Sequence, residues 1–259
     1  MAGGEGTRLR PLTSLRPQPM VPLVNRPLME HIVGLCHWHH LDDIVTTLQF
    51  MPQVIRDYFG DGEEWGVSLS YAVENTPMGT AGSVKNAQSL IGDEPFIVIS
   101  GDALTDVDLT EVVEFHKAKG GAVTIVLKRV PDPLEFGVVI MDEDGRIERF
   151  LEKPTWGQVF SDTINTGIYV IDPLVFDWIP PEGQFDFSAD LFPLLMEAGH
   201  ELYGYVTDRY WSDIGSLAAY VQAHADILDG KVGVHVPGVK AANAVWVGEG
   251  ADIHPDARI

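Results

Sequence analysis

The sequence predicts an α/β protein: a mostly parallel, Rossmann-like sheet with an inserted hairpin, followed by the start of a left-handed β-helix. Three observations predict it. Short β-branched apolar runs alternate with amphipathic stretches, a glycine-dense loop opens the chain, and the carboxyl-terminal texture shifts to apolar steps six residues apart.

Taken in order, Pro27 to His39 is expected as a helix because Leu28, Ile32, Leu35 and Cys36 recur at helical spacing. Ile44 to Phe50 and Val67 to Val73 read as strands, Gly79 to Leu90 as a helix, and Pro95 to Ser100 as the next strand. Leu109 to Lys119 reads as a helix and Ala122 to Arg129 as a strand. Phe136 to Glu152 reads as a hairpin over the sheet, turning at Asp142 to Gly145 between Val138-Val139-Ile140 and Arg146-Ile147. Ile164 to Ile171 is a further strand, and Tyr220 to Leu228 a closing helix. These elements make one domain over residues 1–230.

Residues 231–259 read as a second unit. Val247, Ile253 and Ile259 recur every six residues, the mark of a left-handed parallel β-helix whose rungs each bury one aliphatic corner. A solenoid needs about three coils to be stable, so further coils are expected beyond Ile259, with oligomer formation through them. A glycine loop of this kind normally leaves a buried strand, and only Met1-Ala2 precedes Gly3, so a strand is expected upstream.

Composition limits the function. The formal charge of −21 repels nucleic acid and anionic membrane surfaces, which argues against either as a partner. Within this acidic chain, residues 1–29 carry Arg8, Arg10, Arg16 and Arg26 against the single acid Glu5, a stretch suited to a small anion. The lone cysteine, Cys36, excludes an internal disulfide and reads as a buried small hydrophobe. No signal segment and no apolar run approaching about 18 residues is present, so a cytoplasmic enzyme is expected.

The loop Gly3-Gly4-Glu5-Gly6-Thr7-Arg8 can turn its backbone N–H groups toward phosphate oxygens, with Arg8 adding charge. It is not the dinucleotide pattern G-x-G-x-x-G, because Leu9 stands at the third glycine position, and no G-x-x-x-x-G-K-[ST] loop occurs. Oxidoreductase and P-loop ATPase readings lose their main support. Asp102 follows Phe96-Ile97-Val98-Ile99 and the small pair Ser100-Gly101, where strand-end catalytic groups gather in parallel sheets.

The loop is the first part of a longer block: Gly3-Gly4-x-Gly6-Thr7-Arg8-Leu9-x-Pro11-Leu12-Thr13, then Arg16-Pro17-Gln18-Pro19-Met20-Val21-Pro22. Further blocks are Glu74-x-x-Pro77-Met78-Gly79-Thr80-Ala81-Gly82, Ser100-Gly101-Asp102, and Phe136-Gly137-Val138-Val139. Phe150-Leu151-Glu152-Lys153-Pro154, Asn165-Thr166-Gly167-Ile168-Tyr169 and Tyr210-Trp211-Ser212-Asp213-Ile214-Gly215 complete the series. Over residues 1–230 this resembles the sugar-1-phosphate nucleotidyltransferase family. Trp156 to Thr163 and Phe185-Asp186-Phe187-Ser188 resemble its bacterial mannose-1-phosphate guanylyltransferases, which carry a trailing β-helix.

The resemblance implies in-line attack of a sugar phosphate oxygen on the α-phosphorus of a nucleoside triphosphate, with GTP and mannose 1-phosphate as the implied pair. Both reactants are anions, so positioning and charge neutralisation must supply the catalysis. It implies that Asp102 and Asp213 hold Mg²⁺, which accepts one or two carboxylates plus phosphate oxygens and waters. Gly3, Gly4, Gly6, Thr7 and Arg8 would hold the triphosphate, Gly79 would let the base approach the main chain, and Glu74 would help read it. Gly137, Glu152 and Asn165 match positions that meet sugar hydroxyls, and Lys153 matches the lysine that meets the sugar phosphate.

Each residue also has a plainer reading: a turn carboxylate for Asp102, a solvated pair for Glu152-Lys153, a satisfied strand amide for Asn165, a bulge for Gly137. One position departs from the family. Gln18 stands where the family's Pro-Lys-Pro motif has a lysine on the triphosphate, and loss of one preorganised donor costs on the order of 10²–10³ in rate in well-studied enzymes. Gln18 therefore also admits a second reading, a non-catalytic regulatory subunit that binds a nucleotide sugar.

Overall fold

The structure is a computed structural model that describes residues 1–134, 136–151, 161–242, 244–254 and 256–257. In chain order the strands are β1 (Pro22–Leu23), β2 (Arg26–Pro27), β3 (Asp43–Leu48), β4 (Ser68–Val73), β5 (Phe96–Ile99), β6 (Ala103–Thr105) and β7 (Val123–Arg129). They continue with β8 (Val138–Met141), β9 (Ile147–Leu151), β10 (Thr163–Ile171), β11 (Leu202–Val206), β12 (Trp211–Asp213), β13 (Val239–Ala242) and β14 (Val245–Val247). The α-helices are α1 (Leu28–Trp38), α2 (Pro52–Phe59), α3 (Gly79–Asn86), α4 (Leu109–Lys119), α5 (Phe192–Glu197) and α6 (Leu217–Leu228).

β10 organises the central sheet. It pairs antiparallel with β5 and β7, and β7 pairs parallel with β11, so β5, β7 and β11 all run one way and β10 runs against them. β3 and β4 form a separate parallel pair. Met1 and Ala2 join the two sets: Met1 N donates to Ile99 O at 2.8 Å, Gly101 N to Met1 O at 2.6 Å, and Ala2 N to Thr47 O at 2.9 Å. This is the bonding of a parallel strand lying between β3 and β5, which gives the expected mostly parallel sheet.

Alternation along the strands divides the core into two faces, as a period of two requires. Val123, Ile125 and Leu127 of β7 pack with Ala81 and Val84 of α3 and Phe192 and Leu195 of α5. Val126, together with Ile168 and Val170 of β10, packs on the opposite face against Cys36 of α1 and Leu109 and Val112 of α4. Asp108 caps α4 by accepting from Glu111 N at 3.0 Å, and left-handed Gly120 ends it. Cys36 is buried and free, and burial pushes its thiol up to about 11, in keeping with its reading as a small hydrophobe.

The hairpin β8–β9 arches over one face. It leaves β10 through the pair Ile164 with Val138, and its tip returns to β11, where Gly204 N donates to Gly145 O at 2.9 Å. The start of a β-helix expected over residues 231–259 does not appear among the described residues. Among the described residues no parallel rung forms: β13 and β14 pair antiparallel, Val239 is 73% exposed, and Ile253 is exposed. Ile259 lies outside the described residues. No helix of the described chain is long and apolar enough to cross a membrane.

Beyond Met1, the space between β3 and β5 is a cavity of about 570 Å³, lined by Ile44 and Val45, by Ile97 and Val98, and by Val33 and Cys36 of α1. A strand seated between two others needs two strand spacings, about 9.6 Å. Among the described residues, only Met1 and Ala2 pair with the edges that face it. Extending the chain before Met1 with five β-branched apolar residues is expected to fill the cavity, pair both edges and raise the thermal midpoint by several degrees, at about 2–4 °C per kcal/mol. An extension of the same length containing two prolines supplies the control. Equal midpoints for the two would show that the slot does not admit a strand.

Three histidines are held below their ordinary range by burial. His116 bonds Thr124 Oγ1, His31 bonds Leu23 O, and His224 Nδ1 accepts from Val24 N. Because the folded values lie below the unfolded one, their contribution is present above about pH 6.5 and is lost as pH falls through the lowered values. The thermal midpoint is therefore expected to fall between pH 7 and 5, and His116→Gln to reduce that slope. A midpoint that is flat over this interval would contradict the assignment.

Candidate active site

The polar site lies at the carboxyl end of β5, where the glycine loop, the Asp102 turn and the end of β12 meet. Gly6 adopts φ +66°, and a Cβ there would lie 2.8 Å from Gln18 Cβ and 3.0 Å from Thr13 Cγ2. The loop is pinned from behind: Thr13 Oγ1 donates to Gly6 O at 2.7 Å, and Gln18 N to Gly4 O at 3.4 Å. Thr7–Leu9 then make one short turn of helix that buries Leu9 and leaves Arg8 exposed. The loop thus keeps its backbone toward solvent while its anchor sits in the core.

Asp102 is half-buried. Its Oδ1 accepts from Ser100 Oγ at 2.6 Å and its Oδ2 from Gln18 Nε2 at 3.3 Å. Asp213 ends β12, whose antiparallel register sets Asp213 opposite Ala103, and Ile214 N donates to Asp102 O at 3.0 Å. The two acids therefore stand on adjacent strands, one position out of register. Gly215 brings Arg8 in: a Cβ there would lie 2.7 Å from Asp213 Oδ2 and 2.9 Å from Arg8 Nη2. Gly3, Gly4, Gly6, Thr7, Arg8, Gln18, Asp102 and Asp213, named from the sequence, come together here.

Among the described residues no group of three or more His, Cys, Asp or Glu side chains is placed to hold a metal. Two carboxylates remain sufficient for Mg²⁺, which fills most of its octahedral shell with phosphate oxygens and water. The donor set is all oxygen and anionic, the chemistry that such a hard cation takes.

The remaining predicted residues lie around this centre. Asn165 sits at a bulge of β10; its Nδ2 donates to Tyr169 Oη at 2.9 Å and to Ser188 Oγ at 3.0 Å, and its Oδ1 accepts from Gly167 N. Gly137 O accepts from Asn165 N at 2.8 Å, so these two positions are neighbours. Ser100 N donates to Gly167 O, which connects this group to the Asp102 turn. Glu74 is buried, and its carboxylate accepts from Ser83 Oγ and from Met78 N, which ties it to the start of α3. Gly79, at φ +72°, has the main chain of Phe185 where a side chain would stand, with Phe185 O 2.7 Å from the Cβ position. Glu152 and Lys153 lie outside the described residues.

Two residues quoted only as parts of motifs turn out to contact the site. Ser188 lies in a π-helical turn, Phe187–Leu191, and reaches Asn165, and the carbonyl of Ile214 receives Gln18. The first carries no periodic signal and the second is main chain, so neither is readable from residue type.

The Nucleotidyl transferase family matches residues 1–230 of the chain. The chain is 37% identical over 262 residues to a UTP–glucose-1-phosphate uridylyltransferase of Synechocystis sp., covering 96% of this chain and 68% of that protein. It is 34% identical over 281 residues to a mannose-1-phosphate guanylyltransferase of Mycobacterium tuberculosis, covering 100% of this chain and 77% of that protein. Among solved structures, a putative glucose-1-phosphate thymidylyltransferase from Bacillus anthracis in complex with a sucrose superimposes with a TM-score of 0.78 at 27% identity, over 86% of this chain and 92% of that one.

The loop geometry can be tested directly. Gly6→Ala is expected to cost at least about 1–2 kcal/mol from the left-handed backbone alone, and to push Gln18 and Thr13 from their places. Urea unfolding measures the loss; an unchanged midpoint would show that the loop relaxes freely.

Proposed function

This chain belongs to the nucleotidyl transferase family, and we propose that it joins GTP to mannose 1-phosphate, releasing pyrophosphate and forming GDP-mannose. At the coarser level it is a nucleotidyltransferase whose substrates are a nucleoside triphosphate and a sugar 1-phosphate. The choice of guanosine and mannose rests on the resemblance of residues 156–163 and 185–188, and on a relative named for that reaction. A relative named for uridylyl transfer to glucose 1-phosphate competes with it.

The observation that carries the activity is the meeting of the glycine loop, Arg8 and two carboxylates at one strand end. In this reading the N–H groups and Arg8 hold the triphosphate so that its α-phosphorus faces the acceptor, at an effective concentration that free reactants do not reach. Asp102 and Asp213 hold Mg²⁺, which when bound neutralises charge that builds on the phosphates. Lys153 and Glu152 meet the sugar phosphate and the sugar, and Asn165 and Gly137 line the sugar side. The acceptor phosphate oxygen forms the new bond to the α-phosphorus as the bond to pyrophosphate breaks.

Pyrophosphate release measured with five nucleoside triphosphates against mannose 1-phosphate and glucose 1-phosphate tests the reading. The highest kcat/KM is expected for GTP with mannose 1-phosphate. Preference for UTP with glucose 1-phosphate would overturn the substrate choice and keep the chemistry; silence with every pair, alongside nucleotide-sugar binding, would favour the regulatory reading instead. Asp102→Asn and Asp213→Asn are each expected to lower turnover by on the order of 10²-fold or more with the fold intact by circular dichroism. Wild-type rates in either variant would remove the acids from the mechanism.

A further inference from the structure

We propose that Gln18 is the positioning residue of this site: its buried side-chain amide ties the Asp102 carboxylate to the carbonyl of Ile214, and so sets the two acids relative to each other without adding a charge. This rests on the reading of Asp102 and Asp213 as the cation-holding pair. Gln18 is 6% exposed, and both hydrogens of its amide are committed, one to Asp102 Oδ2 at 3.3 Å and one to Ile214 O at 3.1 Å. Neither remains for a phosphate oxygen.

The orientation of the amide follows from its neighbours. Turned over, it would set its oxygen against a carboxylate and a carbonyl at once, so the NH₂ group must face Asp102 and the Ile214 carbonyl. The oxygen then faces the glycine loop, 2.9 Å from where a Cβ on Gly6 would stand. Gln18 is thus a bracket among three segments: the glycine loop, the Asp102 turn, and the end of β12 with Asp213.

The bracket is neutral, and that has a chemical consequence. The side-chain donors that reach the Asp102 carboxylate among the described residues are Ser100 Oγ and Gln18 Nε2, both uncharged, so neither forms an ion pair with it. A lysine at position 18 would keep donors for the same two acceptors but would form an ion pair with Asp102. A divalent ion would then compete with that ammonium for the carboxylate.

Two substitutions separate geometry from charge. Gln18→Leu removes both donors at similar volume; Gln18→Lys keeps donors and adds charge. Mn²⁺ binding to the free protein, followed by electron paramagnetic resonance, is expected to weaken about 10–100-fold in each, the range for residues that orient metal ligands. For Gln18→Leu, kcat is expected to fall by a similar factor while KM for the triphosphate stays within about twofold, because the amide donates nothing to the nucleotide. Thermal melts report folding, and if Gln18→Leu does not fold, Gln18→Lys still decides the charge argument. Wild-type Mn²⁺ affinity in a folded Gln18→Leu or Gln18→Lys protein would overturn the proposal, as would a wild type that binds no Mn²⁺. A wild type that binds Mn²⁺ and loses it on substitution, yet releases no pyrophosphate, would keep the positioning role and overturn the proposed function instead.

Discussion

The site depends on one main-chain hydrogen bond, from Ile214 N to Asp102 O, and on the short β6–β12 pairing that it continues. Each carboxylate alone is an ordinary strand-end acid. The bond fixes their strands in register, one residue apart, and the Gln18 amide closes the same junction from the loop side across 84 and 196 positions of sequence. Contacts this distant in sequence form only when the whole sheet is assembled, so the site is a property of the folded domain and not of any one motif.

The central sheet is legible in the sequence because β5, β7 and β10 are apolar runs that bury residues on both faces, and α1, α3 and α4 carry apolar residues at helical spacing. Their ends fall within a few residues of the sequence reading. The pieces that place the site are not legible, since β1, β2, β6 and β12 are two or three residues long and no period can be read over so short a span. Asp213 is named by a motif; its setting opposite Ala103 is a matter of register. In the tail, the six-residue spacing of Val247 and Ile253 is present in the sequence, while Val239–Ala242 and Val245–Val247 pair antiparallel.

Gln18 illustrates the limit of reading by position. Sequence reasoning aligns it with a phosphate-binding lysine and counts a lost charge. The side chain donates to Asp102 and to the Ile214 carbonyl, so in the proposed reading the comparison of Gln with Lys concerns how strongly Asp102 is neutralised. Gly79 and Glu74 make the same point. The space beside Gly79 is occupied by the main chain of Phe185, and Glu74 accepts from Met78 N just before α3 and from Ser83 Oγ within it, so both have structural duties that residue type alone does not reveal.

The loop is held from two directions, and this decides how it meets an anion. At one end Met1 and Ala2 are clamped between β5 and β3; at the other Gly4 and Gly6 are fastened to Gln18 and Thr13. A phosphate cradle made of main-chain N–H groups works only if those groups point inward before the ligand arrives, because ordering a free loop would cost about 1–2 kcal/mol per residue. Here the ordering is done by folding. The protein as a whole carries a charge of −21 that repels a triphosphate at long range. Attraction must therefore be local, from fixed N–H groups, from Arg8 and its basic neighbours, and, in the proposed reading, from a cation held between two acids. In that reading the acidic field that opposes the substrate is the same field that draws in the cation, so two half-buried carboxylates and one neutral bracket would let the net charge assist binding.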